Sequence, residues 1–213
     1  MGNNDSDPDL LIRHRLPDRV LHWIMAICVL ILMGTAFLPI MGIKFSWVTS
    51  HWITGLVLTT AVLIHILRSL RMSRLKRMWL GTTDIRDVFE ALAWFFKIRR
   101  SVPKPGKYSP AQKIIHHVFS LLVLTAVVTG LLMMAKIDTP LWKRNPYMLS
   151  SDTWGIIYVL HGSAAVILIT VIMLHVYFAL RPEKRFYLRS MILGWISRDM
   201  FEKNHDPERW EFD

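Results

Sequence analysis

Cysteine is almost absent from this 213-residue sequence, Cys28 being the only one. A single thiol excludes an internal disulfide framework, a four-cysteine iron–sulfur centre and a CxxCH haem attachment. Any redox centre held by the chain itself must therefore use histidine. Carboxylates are missing in a different sense. Neither Asp nor Glu occurs in four long stretches: Val20 to Ile43, Phe45 to Leu67, Ile114 to Ala135 and Thr153 to Leu180. That absence argues against a carboxylate proton relay and against a transport site for a hard cation. The first 19 residues contain four aspartates and no apolar run, so no cleavable signal peptide is expected. Low-complexity segments and convincing internal repeats are lacking as well.

What the sequence does have is grease. Hydrophobic residues make up 53% of the chain, with nine tryptophans. Each of the four stretches exceeds the roughly 18 residues that mark a membrane-spanning helix. Lys44 is the only charge between the first two, where Pro39 and Gly42 mark a turn. The expected fold is an all-α membrane protein, a four-transmembrane-helix bundle forming one domain over residues 1–213. Its spans lie at about 20–43, 45–67, 114–135 and 153–180. The first span is expected to act as the insertion signal.

The formal net charge of +10 could suggest a nucleic-acid partner, but its distribution points elsewhere. The connection from Arg68 to Lys113 carries 12 Lys/Arg against 3 Asp/Glu. Lys44 and the connection from Lys136 to Asp152 together carry only 4 basic residues, and the two tails add 3 and 7. The positive-inside bias places both termini and the middle connection in the cytoplasm. The charges flank apolar spans rather than forming one patch, so the partner they imply is membrane lipid and not nucleic acid.

Within the spans, histidine is the feature that needs a reason, because an ionisable group in hydrocarbon is costly. His161 and His175 stand fourteen residues apart on the fourth span. At about 1.5 Å and 100° per residue, that spacing is roughly 21 Å of depth with the side chains within about 40° of one direction. Two sites stacked across a bilayer would need such a spacing. His51 lies at the outer end of the second span, at the depth of His161. His22, His65, His116 and His117 lie at the inner ends of their spans, at the depth of His175.

Imidazole suits iron, copper and zinc, so ligand type alone does not choose the metal. One histidine from each of two facing helices is too few for a tetrahedral zinc site and enough for a bis-histidine haem. Gly55, Gly162 and Ser163 would let a flat porphyrin approach the backbone, although small residues also serve helix packing in lipid. His51 and His161 pair by depth. The inner partner of His175 stays open among His22, His65, His116 and His117, and His65 repeats the fourteen-residue spacing on the second span.

The stretch DRVLHW (Asp18 to Trp23), the histidine of SHWITGLVL, the segment GKYSPAQK (Gly106 to Lys113) and the H-x13-H span followed by VYFAL resemble the cytochrome b (gamma) subunit of respiratory formate dehydrogenases. The resemblance covers nearly the whole chain and extends to the wider di-haem cytochrome b561 superfamily. It implies two haem b, with His22 and His175 on the inner iron and His51 and His161 on the outer. It also implies an outer iron–sulfur subunit and a molybdopterin or tungstopterin catalytic subunit, in the bacterial cytoplasmic (inner) membrane, with higher oligomers of the complex possible. Electrons are then expected to pass from the external iron–sulfur subunit through the two haems to a quinone, menaquinone or ubiquinone, near the cytoplasmic face. Lys107, Ser109 and Gln112, together with Tyr108, are the expected quinone contacts. The family usually has asparagine where Ser109 stands and glycine near Ala111. A polar, Pro110-containing start to the third span is the plainer explanation of that segment.

Two segments read as interfacial. Residues 84–98 place Ile85, Val88, Phe89, Leu92, Phe95 and Phe96 on one helical face, as a helix lying on the inner leaflet requires. Residues 181–213 are expected as a solvated or membrane-resting cytoplasmic tail. A histidine-based metal transporter and a purely structural anchor are the alternatives from other classes, and both would be colourless. Within the redox class the rival is the cytochrome b subunit of a nickel–iron hydrogenase or thiosulfate reductase.

Overall fold

The computed structural model describes residues 9–71, 78–101 and 103–210. Arg74, Lys76 and Arg77, which contribute to the charge of the middle connection, lie outside the described residues. Four long helices are apolar enough to cross a membrane: α1 (Leu16–Ile40), α2 (Trp47–Arg71), α4 (Pro110–Met133, extended by a 3-10 turn to Lys136) and α5 (Ser151–Leu180). A shorter helix, α3 (Thr82–Phe95), precedes α4. After α5 come α6 (Arg185–Leu193), strand β2 (Trp195–Ser197) and α7 (Arg198–Asn204), while β1 (Leu10–Ile12) precedes α1. The chain forms two compact units, one of residues 20–68 and 118–175, the other of 1–19, 69–117 and 176–213.

The first unit is a helical bundle with its apolar residues largely outside. Cys28, Leu58 and Val62 form a small core with Met25, Val29, Leu32, Ile66, Val123 and Val127 packed against it. Leu30, Val57, Leu121, Val166 and Met173 are exposed. Such an apolar exterior marks a surface that meets hydrocarbon. The α1–α2 turn is built by a Schellman motif: Ile43 N donates to Leu38 O, and Gly42 N to Pro39 O. Gly42, at φ +89°, supplies the left-handed residue that this motif uses.

The second unit gathers both ends of the described chain. β1 and β2 pair antiparallel, with Leu11 opposite Ile196. Ile196, Phe201 and Trp210 form a core with Leu11 and Phe186. The segment expected as a tail is therefore folded over residues 182–210, because its spaced aromatics have one another and β1 to bury against. In α3 the buried side is the acidic one. Asp84 receives hydrogen bonds from Lys113 Nζ (2.8 Å) and Gly81 N (2.9 Å), and Asp87 pairs with Arg209 (2.6 Å). Ile85, Phe89, Leu92 and Phe95 are left exposed, Phe89 by 67%.

Candidate functional site

In the helical bundle, α2 and α5 bring His51 and His161 face to face, with ring centroids 6.3 Å apart. Two imidazole nitrogens at metal–nitrogen distances of about 2 Å from one ion put ring centroids roughly 6 Å apart. The pair thus fits a metal held between two axial imidazoles. Both rings have the same kind of backing. Thr35 Oγ lies 2.8 Å from His51 Nδ1, and Thr129 Oγ lies 2.9 Å from His161 Nδ1. Nε2 is then the nitrogen on each ring that can bind iron. Gly130 lets the His161 ring sit against the α4 backbone, since a Cβ there would come within 3.2 Å of Cε1. At Gly55 and Gly162, the glycines noted in the sequence, a Cβ would meet nothing within 4 Å. They leave open space rather than a tight helix contact.

Fourteen residues along α5, His175 packs edge-on against Phe119 (5.5 Å) and is exposed. His22 stands edge-on to Trp23 (5.4 Å). Electrostatic coupling links His22 first to His175 and then to His65. The bundle therefore brings all three inner candidates of this unit into one neighbourhood. Among the described residues, no three His, Cys, Asp or Glu side chains converge to hold a bare ion.

The other unit holds the remaining sequence candidates. His117 Nε2 lies 2.9 Å from Met78 O and its ring is edge-on to Trp79, while His116 packs against His117. Ser109 and Gln112 form a reciprocal capping box at the start of α4: Ser109 N donates to Gln112 Oε1 (2.9 Å), and Gln112 N to Ser109 Oγ (3.3 Å). The box leaves the Gln112 amide hydrogens and the Ser109 hydroxyl hydrogen out of the cap. Lys107 is buried, with Nζ over the Trp210 ring at 6.0 Å.

A clasp that sequence reasoning missed holds this segment. Arg13, 1% exposed, donates from Nη2 to Lys107 O (2.8 Å) and lies 2.8 Å from His205 Nε2 through Nη1. His205, fully buried, lies 2.7 Å from Gly106 O through Nδ1. Arginine can only donate and a carbonyl can only accept, so His205 is neutral with its proton on Nδ1. Burial, and then the Arg13 charge, push its pKa down to about 4. Gly106 is required here because a Cβ would collide with the Arg209 carbonyl. The only advance signal was the scattered aromatics Phe186, Phe201 and Trp210.

Four helices apolar enough to cross a membrane, with His51 and His161 ring to ring between two of them, suit a membrane cytochrome of the b type. Residues 13–194 match the family model described as prokaryotic cytochrome b561, and the chain belongs to that family. It is similar to the formate dehydrogenase cytochrome b556 subunit of Haemophilus influenzae, 26% identical, over 96% of this chain and 84% of that one. It is likewise similar to the formate dehydrogenase cytochrome b556(fdo) subunit of Escherichia coli K12, 26% identical, over 95% and 92%. The nitrate-inducible b556(Fdn) subunit of the same strain is 24% identical over 96% and 92%. Family and helices together describe a multi-pass protein of the bacterial inner membrane that carries haem b.

Proposed function

We propose that this chain is the di-haem, membrane-anchoring subunit of a formate dehydrogenase-like respiratory complex. On this reading it conducts electrons from an outer iron–sulfur subunit, itself served by a molybdopterin or tungstopterin subunit, to a quinone near the cytoplasmic face. The observation that carries the reading is the His51–His161 pair, set at the separation of two axial ligands and repeated in depth by His175. His51 and His161 would hold the outer haem, and His22 and His175 the inner one. When bound, haem b supplies one-electron redox chemistry. The chain's own part is to hold and orient the ligand rings and to keep the sites within an apolar bundle. Lys107, Ser109 and Gln112 would supply positive charge and hydrogen-bond donors toward the quinone. The basic middle connection and tails support a cytoplasmic position for both termini, and the exposed apolar face of α3 suits the inner leaflet.

Haem counting on the purified complex tests the assignment. His51→Ala and His161→Ala should each lose the same one of two b haems, and His22→Ala and His175→Ala the other. His65→Ala should retain both. Two haems persisting in His51→Ala, or an inner haem lost with His65 and kept without His22, would reject the pairing concerned.

A further inference from the structure

Both members of the outer imidazole pair meet a threonine, and both threonines are committed in the same way. Thr35 Oγ donates to the carbonyls of Ile31 and Leu32, each at 2.9 Å, and Thr129 Oγ to Thr125 O at 2.5 Å and Ala126 O at 3.3 Å. A hydroxyl has one hydrogen and two lone pairs. With the hydrogen directed at the preceding turn, each oxygen presents a lone pair to the imidazole. Both surroundings therefore call for a proton on Nδ1. Thr35 and Thr129 are 7% and 5% exposed, so water does not compete for these contacts.

We infer that Thr35 and Thr129 are positioning residues for the outer haem site, fixing each ligand imidazole as its Nδ1–H tautomer and tuning the electron density at Nε2. The inference rests on the proposed His51–His161 ligand pair. The opposite arrangement, with the hydroxyl donating to Nδ1, would put the ring proton on Nε2 and block ligation. A hydrogen bond accepted from Nδ1–H raises the basicity of the ligating nitrogen and holds the ring's angle. A more basic ligand favours ferric over ferrous iron, so these threonines lower the potential of the site they serve. Among the described residues, His22 and His175 have no matching hydroxyl partner. The threonine effect should therefore be confined to one of the two sites.

The test uses the full complex with Thr35 and Thr129 replaced singly by valine, which keeps the β-branched shape, and by serine, which keeps the hydroxyl. Spectroelectrochemical titration gives the midpoint potential of each haem, and low-temperature EPR reports the axial ligand field. Each valine variant should shift one haem to a more positive potential with a changed EPR signature, leaving the other haem where it was. Each serine variant should return both readouts toward the parent. Loss of that one haem in the valine variants, with retention in the serine variants, supports the inference equally. Valine variants indistinguishable from the parent, serine variants behaving like valine, or shifts in both haems alike would overturn it. His51→Ala and His161→Ala, measured alongside, separate the two failures. If they remove the same haem while the valine variants are silent, the threonine role alone is wrong; if they remove different haems or none, the ligand pair is wrong.

Discussion

Replacing Arg13 by methionine should open the terminal clasp without touching the histidines of the bundle. The side chain stays linear and apolar along its stem, ends short of the guanidinium, and loses three hydrogen bonds: to Lys107 O and His205 Nε2, both 2.8 Å in the parent, and to His14 Nε2 at 3.3 Å. Each buried acceptor left unpaired costs about 1–3 kcal/mol, partly offset because a guanidinium no longer has to be desolvated. The guanidinium also lies 4.6 Å from the Tyr187 ring centroid, a contact worth up to about 2 kcal/mol when desolvated. A net loss of about 3 kcal/mol is expected, on the order of a hundredfold in the local opening equilibrium. The parent should show a related response to acid. His205 titrates near 6.5 when unfolded and at about 4 when folded. The unfolded state binds more protons between those values, so stability rises with pH across that window. The contribution is fully present above the unfolded value and is lost as pH falls through the window, amounting to about 2 kcal/mol by pH 5. Because the Arg13 charge is one cause of the depression, the acid response should be shallower in Arg13→Met. Hydrogen exchange of the full chain, corrected for the intrinsic pH dependence, should report both effects at β1 and β2 and in residues 104–109. Equal protection of those segments in parent and Arg13→Met at neutral pH, or none lost by the parent in mild acid, would refute the reasoning.

Gly106→Ala drives a Cβ into the Arg209 carbonyl and should destabilise the same unit by about 1–3 kcal/mol in thermal unfolding. Gly155→Ala, whose Cβ meets nothing within 4 Å, is the control that should show no such loss. Gln112→Leu should remove both the cap acceptor and the amide donor, weakening the start of α4 by about 0.5–2 kcal/mol and slowing haem reoxidation by quinone. Gln112→Glu keeps a cap acceptor, so stopped-flow reoxidation slowed in both variants assigns the effect to the amide. Unchanged reoxidation in both moves quinone reduction away from this residue.

The spans were legible because hydrocarbon demands about 20 consecutive apolar residues and the sequence supplies four such runs. Their ends were less so, because helix continues where hydropathy stops. α1 begins at Leu16, with Asp18 in its first turn, and α4 at Pro110, inside the Ser109–Gln112 cap. The proximity of His51 and His161 was readable from their positions along the spans. The hydroxyls beside them were not. Thr59 and Thr60 make the same backbone hydrogen bond one turn back, to Gly55 O and Leu56 O, and nothing local in the sequence distinguishes them from Thr35. The amphipathic pattern of α3 was visible, whereas the pairing of Asp84 with Lys113 and of Asp87 with Arg209 depends on contacts across sequence. The clasp was least readable of all, since two three-residue strands carry almost no periodic signal.

The clasp also bears on the order in which the molecule is made. Arg13 meets His205 across 192 residues of sequence, so the contact cannot form until all four long helices have been made. α1 and α2 can pair as they emerge, because Thr35 and His51 are only 16 residues apart. Gly106 O and Lys107 O, by contrast, can meet His205 and Arg13 only after the segment around His205 has been made. Stalling or truncation after α5 would then leave the GKYSPAQK segment unfastened while all four long helices are already made.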